Sequence, residues 1–133
     1  MLSEGLYNLI TKDPTVGALL AKNAVYPALM PEAAPLPAIV YQEVHGDGTM
    51  SQDGPDPLQY SRMQFDCYGA KYGDAKQLAR ALRQLLEGTT GLLSDGTVLE
   101  NAERISESDT FEDTPRIFRT MLEMKIVYGD LSA

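Results

Sequence analysis

"YSRMQFDCYGAKYGDAKQLARALRQLLEG", residues 60–88, changes its apolar period part-way, and that change sets the fold class. Over 60–69 the residues alternate. Ser61, Met63, Phe65 and Cys67 point one way, and Arg62, Gln64 and Asp66 the other, the pattern of a half-buried strand. From 71 to 88 the period lengthens. Ala75, Leu78, Ala79, Leu82, Leu85 and Leu86 form one stripe, with Lys76, Arg80, Arg83 and Gln84 opposite. Gly88 is a natural C-terminal stop. A strand thus runs into an amphipathic helix with almost no connection.

Upstream, "AIVYQEVHG" (38–46) reads as the first main strand, since Ile39, Val40, Tyr41 and Val44 favour extended backbone. It is separated from the second by "GDGTMSQDGPDPLQY" (46–60), with three Gly, two Pro and three Asp. That is longer than a hairpin needs. Downstream, "TVLENAERISESDTFED" (97–113) is a more polar strand of edge type, and "RIFRTMLEMKIVYGD" (116–130) a long last one. In the latter, Phe118, Thr120, Leu122, Met124, Ile126 and Tyr128 share a face, with Arg119, Glu123 and Lys125 on the other. "EDTP" (112–115) supplies the turn between them.

At the N-terminus, Leu2, Leu6, Leu9 and Ile10 share one helical face. Asp13 followed by Pro14 predicts a cap and first residue of a second short helix, with Val16, Leu19 and Leu20 on its apolar side. "VYPALMPEAAPLP" (25–37) carries four prolines and suits neither a helix nor a central strand. It reads as an extended crossing segment. The order α-α-β-β-α-β-β predicts an α+β fold, with a mostly antiparallel sheet of about four strands and helices packed on one face. Residues 1–133 suffice for a single domain.

With 44% hydrophobic and 23% charged residues the chain has the composition of a folded protein. A formal net charge of −8 opposes sequence-specific nucleic-acid binding, which needs a basic surface. One cysteine, Cys67, excludes an intrachain disulfide and suits a reducing compartment. The N-terminus lacks the basic-then-apolar layout of a secretory signal, and no apolar run reaches the length of a membrane span. These features predict a soluble cytoplasmic chain.

Chemistry-bearing residues are sparse. His45 is the only histidine, so a His-based triad or a two-His metal site cannot form within one chain. It reads as a hairpin-end residue. Cys67 falls on an apolar strand face, as a small buried hydrophobe would. Asp47, Asp53 and Asp56, with Glu43 before them, lack the ligand spacing of a helix–loop–helix calcium site and read as turn chemistry. Gly-rich phosphate motifs are absent. "ESDTFED" (107–113) reads as a solvated strand end. Arg62, Arg104, Arg116 and Arg119 lie on or beside strands, placed for cross-strand or inter-subunit ion pairs. No acid–base pair emerges. The expectation is a non-enzymatic assembly protein with no cofactor and no metal. A different class is a small-molecule-binding domain whose pocket is lined by Tyr41, Tyr68 and Tyr128.

The layout resembles the tail-completion, or tail-terminator, proteins of long-tailed bacteriophages and gene transfer agents, also called head–tail joining proteins. The resemblance runs from "LYNLITKDPTVGALLAKNAVYP" (6–27) through "LPAIVYQEV" (36–44) and "RMQFDCYGAKYGDAKQLARALRQLLEG" (62–88) to "RISESDTFEDTPRIFRTMLEMKIVYG" (104–129). It implies a homo-oligomeric ring, usually of six subunits, at the head-proximal end of the tail tube. Such a ring stops tube polymerisation and meets the head-side connector or adaptor, and DNA passes through its lumen without specific binding. The implied location is the virion neck, after assembly in the host cytoplasm, with no membrane contact and no catalytic residues to carry over. Another neck protein, a head-closure or adaptor subunit, is the neighbouring alternative. On this resemblance the opening loop becomes an arm. Asp47, Gly48, Thr49, Met50, Ser51, Gln52, Asp53, Gly54, Pro55 and Asp56 are its expected inter-subunit or tube-contact residues. The acidic charge suits a conduit that repels the duplex.

Overall fold

The computed structural model describes residues 2–49, 58–113 and 116–130. The chain order is α1 (Leu2–Lys12), α2 (Pro14–Leu19), β1 (Val25–Pro27), β2 (Ala38–Thr49), β3 (Gln59–Gly69), α3 (Tyr72–Gly88), β4 (Gly91–Leu92), β5 (Thr97–Asp113) and β6 (Arg116–Asp130). The strands form one sheet in the order β1-β2-β3-β6-β5-β4, curled into a half-barrel.

The expected four-stranded sheet is therefore corrected to six strands. Both additions are edges too short to show a period. β1 arises inside the proline segment read as a plain crossing, and it pairs parallel to β2 with Val25 opposite Ile39. Pro27 is tolerated there because it ends a three-residue edge strand and no inner neighbour needs its missing N–H. β4 is two residues that pair with Val98 and Leu99. Beyond Leu99 no strand covers the outer side of β5 among the described residues, so the edge reading of that strand holds over most of its length.

The four long strands pair antiparallel, and one face of each enters the core. Ile39 and Tyr41 of β2, Met63, Phe65 and Cys67 of β3, and Leu122, Met124 and Ile126 of β6 meet the apolar sides of the helices. Leu6 and Ile10 come from α1, Val16 from α2, and Leu78, Leu82 and Leu86 from α3. Fully burying one such side chain contributes about 1.5–3 kcal/mol, so helix and sheet hold each other in place. α2 starts where the sequence places it: Asp13 Oδ2 accepts from the backbone N–H of Thr15 at 3.1 Å and of Val16 at 2.9 Å.

The abrupt strand-to-helix change after β3 depends on Gly69. A Cβ there would lie 2.8 Å from the backbone nitrogen of Ala75 and 2.9 Å from Asp74 Cβ. Only glycine lets α3 begin this close to the strand that feeds it.

Cys67 is fully enclosed. Burial, followed by the nearby charges of Asp66 and Glu107, pushes its thiol far above the usual cysteine range. Alkylation requires thiolate and access. The folded protein should therefore resist iodoacetamide at pH 8 and label fully in denaturant, as mass spectrometry of both samples would show. Prompt labelling of the native chain would contradict this packing.

Candidate assembly surface

The side of the sheet away from the helices is built from the alternate residues of β3 and β6. Arg62 and Glu123 pair across the two strands: Arg62 Nε donates to Glu123 Oε2 at 2.9 Å, and its Nη2 contacts the same oxygen. Two rows on, Arg119 Nε lies 3.5 Å from Asp66 Oδ1, and its guanidinium stands 5.9 Å from the centre of the Tyr68 ring. Gln64 Nε2 donates to Asp66 Oδ1 at 3.1 Å. Lys125 Nζ sits 5.1 Å from the Tyr60 ring. The face is a ladder of charge pairs and aromatic rings spaced by the β3–β6 register.

Asp66 is the unusual member, a carboxyl only 6% exposed. Burial raises its pKa, and the Arg119 charge and the Gln64 hydrogen bond oppose that only in part. The folded chain therefore holds this proton more tightly than the unfolded chain does. The ionised carboxyl costs stability above its folded pKa, and that cost fades as pH falls through it. Asp66→Asn should be at least as stable as wild type at pH 7, with the difference shrinking as urea melts are repeated towards pH 4. A variant that is far weaker at pH 7 would show that the attraction of Arg119 outweighs the cost of burying the carboxylate.

On the helix side a second charged group ties α3 to β5. Lys76 Nζ donates to Glu107 Oε2 at 2.8 Å and to Asp109 Oδ1 at 3.3 Å. Thr120 Oγ1 and the Tyr72 hydroxyl also donate to Asp109, at 3.0 and 3.2 Å. Beside it, Phe118 meets Phe111 at 4.6 Å and Tyr72 at 6.1 Å between ring centres. The acidic stretch 107–113 is thus partly a latch, where the sequence suggested only a solvated end. The signal present was period 2: Glu107, Asp109 and Phe111 fall on the face of β5 that meets α3.

The sequence-predicted residues divide as follows. Arg62 and Arg119 are engaged within the chain, across β3 and β6 or along its surface. Arg104 is exposed, 4.0 Å from Glu107 Oε1. Arg116 pairs through its backbone with Asp113, and its side chain lies outside what is described. Asp47, Gly48 and Thr49 belong to the extended end of β2, where Gly48 pairs with Tyr60 and Thr49 with Gln59. Register shifts between Glu43 and His45, and between His45 and Gly48, bend the strand at the base of the arm. Met50, Ser51, Gln52, Asp53, Gly54, Pro55 and Asp56 lie outside the described residues, as do the side chains of 45–49. Tyr41 and Tyr128 line a common cavity of about 520 Å³ with Leu2, Met63 and Gln59. Tyr68 does not join them, because it lies on the opposite face against Arg119. Among the described residues no group of three or more His, Cys, Asp or Glu could hold a metal ion.

The profile of the family described as "Tail completion protein gp17" matches residues 4–129. The chain belongs to the tail completion protein gp17 family. That family is one of structural virion proteins and not of enzymes, which makes this tail completion protein a structural component of the phage tail and of the virion. The fold agrees. A chain of a solved structure titled "Virion of native gene transfer agent (GTA) particle" superposes with a TM-score of 0.71 at 21% identity, covering 96% of this chain and 94% of that one. No curated protein matches the sequence. No helix among the described residues is long and apolar enough to cross a membrane.

Proposed function

We propose that this tail completion protein forms a ring of six copies at the head-proximal end of the tail tube. The ring ends tube polymerisation, joins the tail to the head-side connector, and leaves a central passage for DNA. Family membership over residues 4–129 carries the reading. Two features support it. The sheet face built on β3 and β6 carries Arg62, Arg119, Tyr60 and Tyr68, residue types enriched where protein partners dock, and the net charge of −8 disfavours retention of DNA in a lumen. The arm, residues 46–59, contacts the adjacent subunit or the last ring of tube protein. Arg104, whose contact with Glu107 is a long 4.0 Å, is the most exposed of the paired arginines and joins Arg62, Arg116 and Arg119 as a candidate for inter-subunit pairing.

Native mass is the direct test. Light scattering on a sizing column, over a range of concentration and salt, should show a discrete species near six chain masses. If it shows only monomer, and purified tail tubes recruit none of it, the ring reading fails.

A further inference from the structure

The two edges of the sheet are guarded very differently. On one side β1 is three residues long and ends in Pro27, which has no N–H to offer a further strand. On the other side no strand covers β5 beyond Leu99 among the described residues. The first part of that open edge is broken by register shifts, between Leu99 and Asn101 and between Arg104 and Ser106. Bulges, prolines and lysines are the devices that keep a strand edge single. Residues 106–112 carry none of the three. They pair with β6 without a break, from Ser106 opposite Glu123 to Glu112 opposite Ile117. In an antiparallel ladder alternate residues turn their N–H and C=O away from the neighbouring strand, so this stretch offers a regular row of both to the free side.

The side chains leave that row accessible and give it a sign. Ser106, Ser108 and Thr110 are small and exposed, with exposed Glu112 on the same face. On the other face Lys76 bridges Glu107 and Asp109, and Phe111 remains 49% exposed beyond them. Residues 103–113 hold Glu103, Glu107, Asp109, Glu112 and Asp113 against a single base, Arg104. This charge opposes the occupants that the chain itself could supply. A second β5 edge would set acid against acid. The arm, residues 46–59, has three Asp and no base, and residues 25–37 are interrupted by four prolines.

We infer that β5 receives, along residues 106–112, an extended basic segment of a different protein, which adds to the sheet as a further strand. Phe111 and Glu112 are neighbours on opposite faces, so the segment alternates, with an apolar side chain beside Phe111 and a lysine or arginine beside Glu112. Main-chain hydrogen bonds supply the affinity of such an addition, and the alternation supplies its selectivity. The inference goes beyond the ring reading, since it concerns a partner other than a copy of this chain.

The test adds a short synthetic peptide alternating lysine with valine to the full chain, and follows amide hydrogen exchange. Exchange over residues 106–112 should slow by about tenfold or more. Two control peptides should leave it unchanged: the same sequence N-methylated along its backbone, and one with glutamate in place of each lysine. Glu112→Lys should weaken binding of the lysine peptide by about tenfold. If the N-methylated peptide binds equally well, or if no slowing appears at 106–112, strand addition is overturned. Exchange already slow at 106–112 in assembled wild type, before any peptide is added, overturns it as well, because a second copy then fills the edge.

Discussion

Removing residues 48–56 leaves the chain folded, with a thermal midpoint close to wild type, and cuts its capture on purified tail tubes to about a tenth or less. The first half of that result follows from the core. The residues that β2 and β3 give to the hydrophobic core, Ile39, Tyr41, Met63, Phe65 and Cys67, all lie on the sheet side of the deletion. Of the described strand pairs, the cut removes only Gly48 with Tyr60 and Thr49 with Gln59, at the end of the ladder. The second half follows from the arm's composition. Gly, Pro and Asp in a long insertion supply reach and turn chemistry and little to a core, which is what the contact proposed for the arm requires. Co-sedimentation with tubes reads the outcome. Capping that survives intact removes the arm from the contact; a collapse of the thermal midpoint would show instead that the arm supports its own hairpin.

How much of this was legible depended on period and length. The change from alternation at 61–67 to the 3–4 spacing of 75–86 gave β3 and α3, and both buried faces are those the spacing implied. Asp13 before Pro14 gave the start of α2 because a cap is a local event, settled within three residues. β1 and β4 were not legible. Three residues ending in proline and two residues after a helix carry no period, and their pairing is decided by what the long strands leave uncovered. The Lys76 latch was hidden for another reason. Lys76 lies 31 residues from Glu107, and on its own helix it reads as solvent-facing. Only the packing of α3 against β5 brings the two together. The arginines were found, but the partners of Arg62 and Arg119 follow from the β3–β6 register, which single-strand patterns do not fix.

Phe65→Ala is the largest stability change expected in this chain, a loss of about 3–5 kcal/mol. Phe65 is fully buried at the centre of the sheet, paired with Tyr41 on one side and Leu122 on the other. Its ring belongs to the same cluster as Leu78 and Leu82 of α3. Neither strand can move inward to fill the space, because each is held by its own ladder, so most of the cavity persists. For a domain with a total stability of about 5–15 kcal/mol, this removes about a fifth or more. The urea midpoint should fall by about 2 M. The adjacent residue provides the control. Asp66 points the other way, and its Asn variant should retain the wild-type midpoint at pH 7. Two neighbouring substitutions with opposite outcomes are what a strand with one face in the core and one face away from the helices requires. A shift below about 1 kcal/mol for Phe65→Ala would mean that α3 does not seal this face of the sheet.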